Sequence, residues 1–411
     1  MRARSLLDQL STSAPTADDF ATLDEVRAAL APDEALLSYQ IAPWVDWSGD
    51  FGGGSWLLVV TREGVKVHRL ERDRTFWRQA IGTFVGLTTG RDGREEETAV
   101  ALYGDLLGPA LAELPGTVRR LVLVPDDVLH KLPFELLRER AEAPPLGERF
   151  AVTRVPSATL WQRWRQAAAE HPDRPGWIVA DPAPLPAGPG GQILRPLPHA
   201  RREGREIAGI LGAGSRLDLG ESAAEAILLG QPRQLAGVLH FGTHAVVDED
   251  DAERSAIYLG GGETADGRLE LGEITGLPVA GQLVVLSSCE SAAGVVLRGE
   301  GVLSLARAFF EGRRTRTVVA SLWPLRDDDA RAFFTRFYRQ LAQGRGVSTA
   351  ARAVRAELLA AGYPAEAWAG VVVLGDGELT PFPRRFPPRG SGAGLALLAA
   401  GAAAWNRRRS A

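Results

Sequence analysis

The segment Gln282-Leu-Val-Val-Leu-Ser-Ser-Cys289-Glu-Ser-Ala-Ala-Gly294 constrains the fold more than any other stretch. Its continuous apolar run is that of a strand buried on both faces of a parallel sheet. Small residues and a glycine then end the strand and turn the backbone. Cys289 therefore falls at a strand's carboxyl end, where open α/β sheets present their functional loops. A second stretch, Gly237-Val-Leu-His240-Phe-Gly-Thr-His244-Ala245, has the same form and delivers a histidine where the first delivers a thiol.

The remaining chain alternates strand-like and helical stretches, which predicts a layered α/β fold with a mostly parallel central sheet. Thr22 and Glu25 have capping-box spacing for a short helix through Leu30. Apolar strands are expected at 35–40, 56–60, 65–70, 120–124, 177–180, 256–259, 317–323 and 369–374. A hairpin turn is expected through Thr61-Arg-Glu-Gly64. Helical spacing marks 73–115, 155–168, 200–211, 222–229, 300–310, 328–341 and 347–361. Between Asp181 and Pro198 lie six prolines and three glycines, which reads as a boundary or exposed connection. The expected division is a lead-in at 1–22, a first α/β unit at 23–185, a second at 186–380, and a tail at 381–411.

With 411 residues, 45% of them hydrophobic and 24% charged, the composition is that of a globular protein large enough for two units. A net charge of −4 offers no bulk attraction to nucleic acid. Residues 1–10 hold no apolar signal core, and the single cysteine suits a reducing compartment, so a cytoplasmic location is expected. The tail adds a basic Pro/Arg linker and an uncharged stretch at 390–405. As a helix that stretch would reach roughly 24 Å, against ~30 Å for a hydrocarbon core. It reads either as a docked Ala/Gly helix or as a short tail anchor ending at Trp405.

A cysteine becomes a nucleophile when its thiolate is favoured and a base stands nearby. Adjacent strands would bring His244 and Cys289 together at one sheet edge. The backbone N–H groups of Ala245 and Cys289 are then the candidate oxyanion donors. No acidic residue is placed as a third member, so a dyad is expected. His240, on the strand itself, reads as a packing or hydrogen-bonding residue, and His68, His130, His171 and His199 as surface or structural. No HExxH or carboxylate cluster points to a metal. Gly188, Gly190 and Gly191 do not open a helix after a strand, and no Walker motif occurs, so no cofactor is expected.

These two stretches stand in an ordered series: Leu36-Leu-Ser-Tyr39, Leu121-Val-Leu-Val-Pro-Asp126, Leu132-Pro-Phe134, Val155-Pro-Ser157 and Leu197-Pro-His-Ala-Arg-Arg-Glu203. After the histidine and cysteine motifs come Gly299-Glu-Gly301, Val318-Val-Ala-Ser-Leu-Trp-Pro324, Arg336-Phe-Tyr338 and Trp368-Ala369. Over Leu23 to Asp376 the chain resembles the CHAT family, caspase-like proteins of clan CD related to separases and caspases. The resemblance implies a pseudo-caspase half followed by a protease half, with His244 and Cys289 as the dyad of a cysteine endopeptidase. It also implies a protein substrate, a bacterial signalling or defence role and, with the family's amino-terminal repeat domain absent, a separate activating subunit.

Two departures bear on activity. Ala245 replaces the usual glycine after the histidine and would be strained if the position needs positive φ. Ser288 and Ser291 replace the usual Ala and Thr. Ser287 stands where arginine-specific relatives have Asp, against a strict basic requirement, although Asp327 and Asp328 could make the pocket acidic. Ser321 and Trp323 complete the candidate pocket residues. A catalytically silent scaffold for protein binding, tethered or not by the tail, is the competing expectation.

Overall fold

The computed structural model describes residues 20–42, 54–91, 93–166, 175–188, 191–232, 234–246, 255–287, 295–297, 301–303, 305–312 and 314–382. In the first half run helix α1 (Leu23–Ala29), strands β1 (Glu34–Gln40), β2 (Ser55–Val60) and β3 (Val65–Leu70), and helices α2 (Arg74–Gly90), α3 (Glu95–Leu106) and α4 (Gly108–Ala112). Then come β4 (Arg120–Val124), α5 (Leu146–Arg149), β5 (Ala151–Arg154) and α6 (Ala158–Gln166). Thr22 closes the expected capping box with Glu25, and Val60 and Val65 pair across the expected hairpin.

The second half opens with β6 (Gly176–Pro182), α7 (Pro198–Leu211), β7 (Arg216–Gly220), α8 (Glu225–Leu229) and β8 (Gln234–Gly242). Short strands β9 (Ala245–Val246), β10 (Ala256–Tyr258) and β11 (Arg268–Glu270) form a side sheet. They are followed by α9 (Leu271–Gly276), β12 (Val279–Leu286), β13 (Val295–Leu297) and β14 (Gly301–Leu303). Last come α10 (Leu305–Glu311), β15 (Thr317–Ser321), α11 (Asp327–Leu341), α12 (Val347–Ala360) and β16 (Val371–Gly375).

Eleven strands make one sheet in the order β3-β2-β1-β4-β5-β16-β15-β12-β8-β6-β7. Most neighbours are parallel; β2 and β3 at one edge and the β15–β16 pair are antiparallel. β6 pairs with β7 and β8. β6 precedes the expected division at 185, and both of its partners follow it.

The β12 run is apolar throughout because both faces are covered, and its side chains alternate between two cores. Leu283 and Val285 join the core that includes Ile207, Phe333, Phe334 and Tyr338. Val284 and Leu286 join the core beneath the side sheet, with Phe241, Ile257 and Phe309. Two helical expectations need correction. Residues 301–303 form β14 and the helix starts only at Leu305, while the helix expected over 222–229 starts only at Glu225, with Ser222 bonded to Leu219. Among the described residues no helix is long and apolar enough to cross a membrane, and the 390–405 stretch lies outside them.

Candidate active site

β8 and β12 lie side by side and parallel, with Phe241 opposite Leu286 as the last register pair. The ladder extends one step further, since Ser287 N–H donates to Phe241 O at 2.9 Å. His244 follows Phe241 by three residues, and Cys289 follows Leu286 by three in the sequence. Cys289 itself lies outside the described residues.

The turn carrying His244 is pinned from the side sheet. Tyr258 N–H donates to His244 O at 2.8 Å, and the buried Thr243 hydroxyl donates to Tyr258 O. The 244/258 pair is thus the hydrogen-bonded one, which makes Ala245/Ile257 the non-hydrogen-bonded pair of this antiparallel ribbon. Ala245 N–H therefore points away from β10. Its φ is not positive: among the described residues only Arg91, Asp127 and Asp181 combine a side chain with positive φ. The strain expected from alanine at this position is absent.

The half-buried His244 ring has a partner that side-chain inspection misses. Its Nε2 stands 2.8 Å from the backbone carbonyl of Arg195. A carbonyl only accepts, so Nε2 must carry the proton, and in the neutral ring Nδ1 is left with the lone pair. The imidazole can thus take a proton at Nδ1 while a fixed acceptor stabilises the resulting cation at Nε2. The Arg195 carbonyl is thus the partner that orients the His244 ring.

Arg195 precedes α7, and that segment is held by two carboxylates. Asp181, at the end of β6, accepts from Leu197 N–H at 2.8 Å and from Arg201 Nε at 2.5 Å. Asp327, at the start of α11, accepts from His199 N–H and Ala200 N–H, each at 2.8 Å. Asp327 is thereby committed to the first turn of α7. Asp328 pairs with Arg326, whose guanidinium holds its carboxyl below the usual range.

The other pocket residues are also placed. Ser321 is buried and donates to Trp323 O at 2.6 Å. The Trp323 indole is buried, donates to Glu366 O at 3.0 Å, and lies over Gly370, where an added Cβ would come within 2.5 Å of the ring. Ser287 is buried, and its hydroxyl meets no hydrogen-bond partner among the described residues. Of the five candidates, Ser287 alone follows directly on β12, the strand that leads to Cys289, and bonds back to β8 at Phe241.

His240 fulfils the structural role expected of it. Fully buried, it lies on the core face of β8 opposite the Leu239 and Phe241 side. Its Nδ1 is 3.2 Å from the Tyr338 hydroxyl, and its Nε2 is 2.9 Å from Glu203 Oε1. The second contact has the distance of an ion pair without the alignment of a hydrogen bond. Burial, and then the Glu203 carboxylate, pushes the Tyr338 hydroxyl well above its ordinary range, so Tyr338 is the donor to Nδ1. Glu203 and Tyr338 carried no readable signal of this role, because their partners come from α7, β8 and α11.

Comparison with known proteins agrees with this architecture. Separase from Saccharomyces cerevisiae, solved in complex with securin, superposes with a TM-score of 0.55 at 12% identity. The match covers 86% of this chain and 30% of that one, so the chain spans less than a third of separase. RgpB of Porphyromonas gingivalis, solved as its pro- and mature domains, gives a TM-score of 0.42 at 13% identity, covering 74% of this chain and 77% of that one. No curated protein matches the sequence. The fold is caspase-like, mixed α/β on a large, mostly parallel sheet. The CHAT domain model matches residues 96–376, beginning later than the Leu23 start suggested by the motifs but taking in both strands of the site. With more than half of its length so matched, the chain belongs to the CHAT domain family.

Proposed function

We propose that the chain is a cysteine endopeptidase in which Cys289 attacks a peptide carbonyl and His244 accepts its proton through Nδ1. The observation that carries this reading is the Phe241/Leu286 register, joined to the Arg195 carbonyl on His244 Nε2. Equal three-residue extensions from paired positions support placing the two side chains side by side at the carboxyl end of the sheet. Ala245 N–H, turned away from β10, supports its role as an oxyanion donor together with the N–H of Cys289.

In the proposed reaction the thiolate adds to the carbonyl and the imidazolium returns its proton to the leaving amine. Water, deprotonated by the same ring, then releases the acid and regenerates the thiol. The substrate is a partner protein, and a separate chain activates the enzyme. The separase–securin complex supports a role for protein partners. Ser287 is neutral, and Asp327 and Asp328 are engaged elsewhere, which supports a P1 preference set without these carboxylates.

The test is covalent labelling of Cys289 by a library of peptidyl electrophiles, comparing wild type with His244→Ala. Labelling should fall by about 10²-fold or more in the variant, the scale of a lost general base. Equal labelling in both proteins would leave the silent scaffold as the better reading. Faster labelling by arginyl than by uncharged P1 groups would refute the pocket assignment alone.

A further inference from the structure

We infer that Asp181 is a positioning residue for His244: its carboxylate holds the 195–201 segment so that the Arg195 carbonyl fixes the Nε2–H form of the catalytic ring. The inference rests on the proposed role of His244 and extends it to a residue on a different strand.

The geometry begins with a defect in β6. Its parallel pairing with β7 shifts register between Ala180 and Pro182, so Asp181 is the extra residue of a bulge. Bulges re-aim a side chain at a sheet edge. Asp181 also has φ +45°, a left-handed conformation costly for a residue with a Cβ unless its surroundings impose it. Just before it, Ala180 pairs with Gly242, the last residue of β8. The bulge therefore lies beside the strand end that leads to His244.

Its surroundings account for the conformation. The Asp181 side chain is 8% exposed, and its two oxygens are used separately: Oδ1 accepts Leu197 N–H, and Oδ2 accepts Arg201 Nε. One bond fixes the backbone two residues beyond Arg195, and the other ties down the first turn of α7. Asp327 holds the same turn at His199 and Ala200 but reaches no residue before them. Asp181 is thus the carboxylate that bonds the segment nearest the Arg195 carbonyl. Among the described residues no hydrogen bond or ion pair joins Asp181 to His244, so its effect passes through that carbonyl.

Two variants separate positioning from simple stability. Asp181→Gly removes the carboxylate while easing the positive φ, and Asp181→Asn keeps an acceptor in a conformation that Asn tolerates. The first readout is the tautomer of His244 from ¹⁵N chemical shifts of histidine-labelled full-length protein, taken in a Cys289→Ala background and assigned with His244→Gln. The second is the iodoacetamide alkylation rate against pH, which reads Cys289 alone because the chain has one cysteine.

The parent protein should show Nε2–H, Asp181→Gly a mixture of tautomers, and Asp181→Asn the parent signature. Alkylation at pH 7 should fall about tenfold in Asp181→Gly, the scale of one charge-assisted hydrogen bond, with the profile displaced to higher pH. The inference is overturned if Asp181→Gly keeps the parent tautomer in the folded protein, or if Asp181→Asn loses it equally. Because the tautomer is read without the thiol, these results stand even if wild-type alkylation proves independent of His244, the outcome that would sink the protease reading.

Discussion

Ala245 stands where the resemblance leads one to expect glycine, and its backbone conformation does not require one. Glycine is needed where φ is positive or the backbone is crowded, and here the residue lies in a short ribbon opposite Ile257 with φ in the ordinary range. Ala245→Gly should therefore not raise the alkylation rate of Cys289 and should lower stability by about 0.5–1 kcal/mol, through the greater freedom glycine has when unfolded. A faster alkylation in that variant would show that alanine impairs the site after all. His244 was legible in the sequence as a histidine where a strand turns. Its partner was not, because every residue has a carbonyl and nothing in the letters marks the one at Arg195. Asp181 was hidden in the same way, since a bulge and its φ leave no pattern in a proline-rich run.

At the scale of elements, β8, β12 and β15 were readable because strands covered on both faces must be apolar at every position. The helices were less readable at their ends. Residues 300–310 carry helical spacing, yet 301–303 pair as β14 with β13, a local choice that helical periodicity does not weigh. Contacts among α7, β8 and α11 were not readable, although they decide how the histidine strand is held. Tyr338 donates to His240 Nδ1 in a site where neither side chain meets water. Tyr338→Phe leaves that nitrogen buried without its donor and should cost about 1–3 kcal/mol, measured by denaturant unfolding. An unchanged midpoint would mean that the hydroxyl contributes nothing to holding β8.

Across the whole molecule the two halves meet at β5 and β16, where a single register pair, Arg154 opposite Leu374, joins them in parallel. Arg154 is buried there on Glu135 at 2.6 Å, and the buried Arg355 of α12 donates to Val371 O at 2.6 Å while standing 3.8 Å from the same carboxylate. One anion thus lies between two buried cations from opposite halves, and burial lowers the pKa of Arg355. Glu135→Ala should cost about 3–5 kcal/mol by stranding charge at the seam, and the loss should appear in a single unfolding transition of the full chain. Two separated transitions, with only one displaced, would show that the halves unfold independently.

The strand order also has a consequence for how the chain is made. β16 comes after every other strand of the large sheet, yet it lies in the middle, between β5 and β15. A ribosome that has not yet released residues 371–375 holds a nascent chain whose two part-sheets face each other across an empty slot. Each would expose an unpaired edge that invites association with other chains, a hazard that lasts until translation of this last strand is nearly complete. The large sheet is thereby closed by the last of its described strands, and polysomes engaged in making it are where chaperone demand should be greatest.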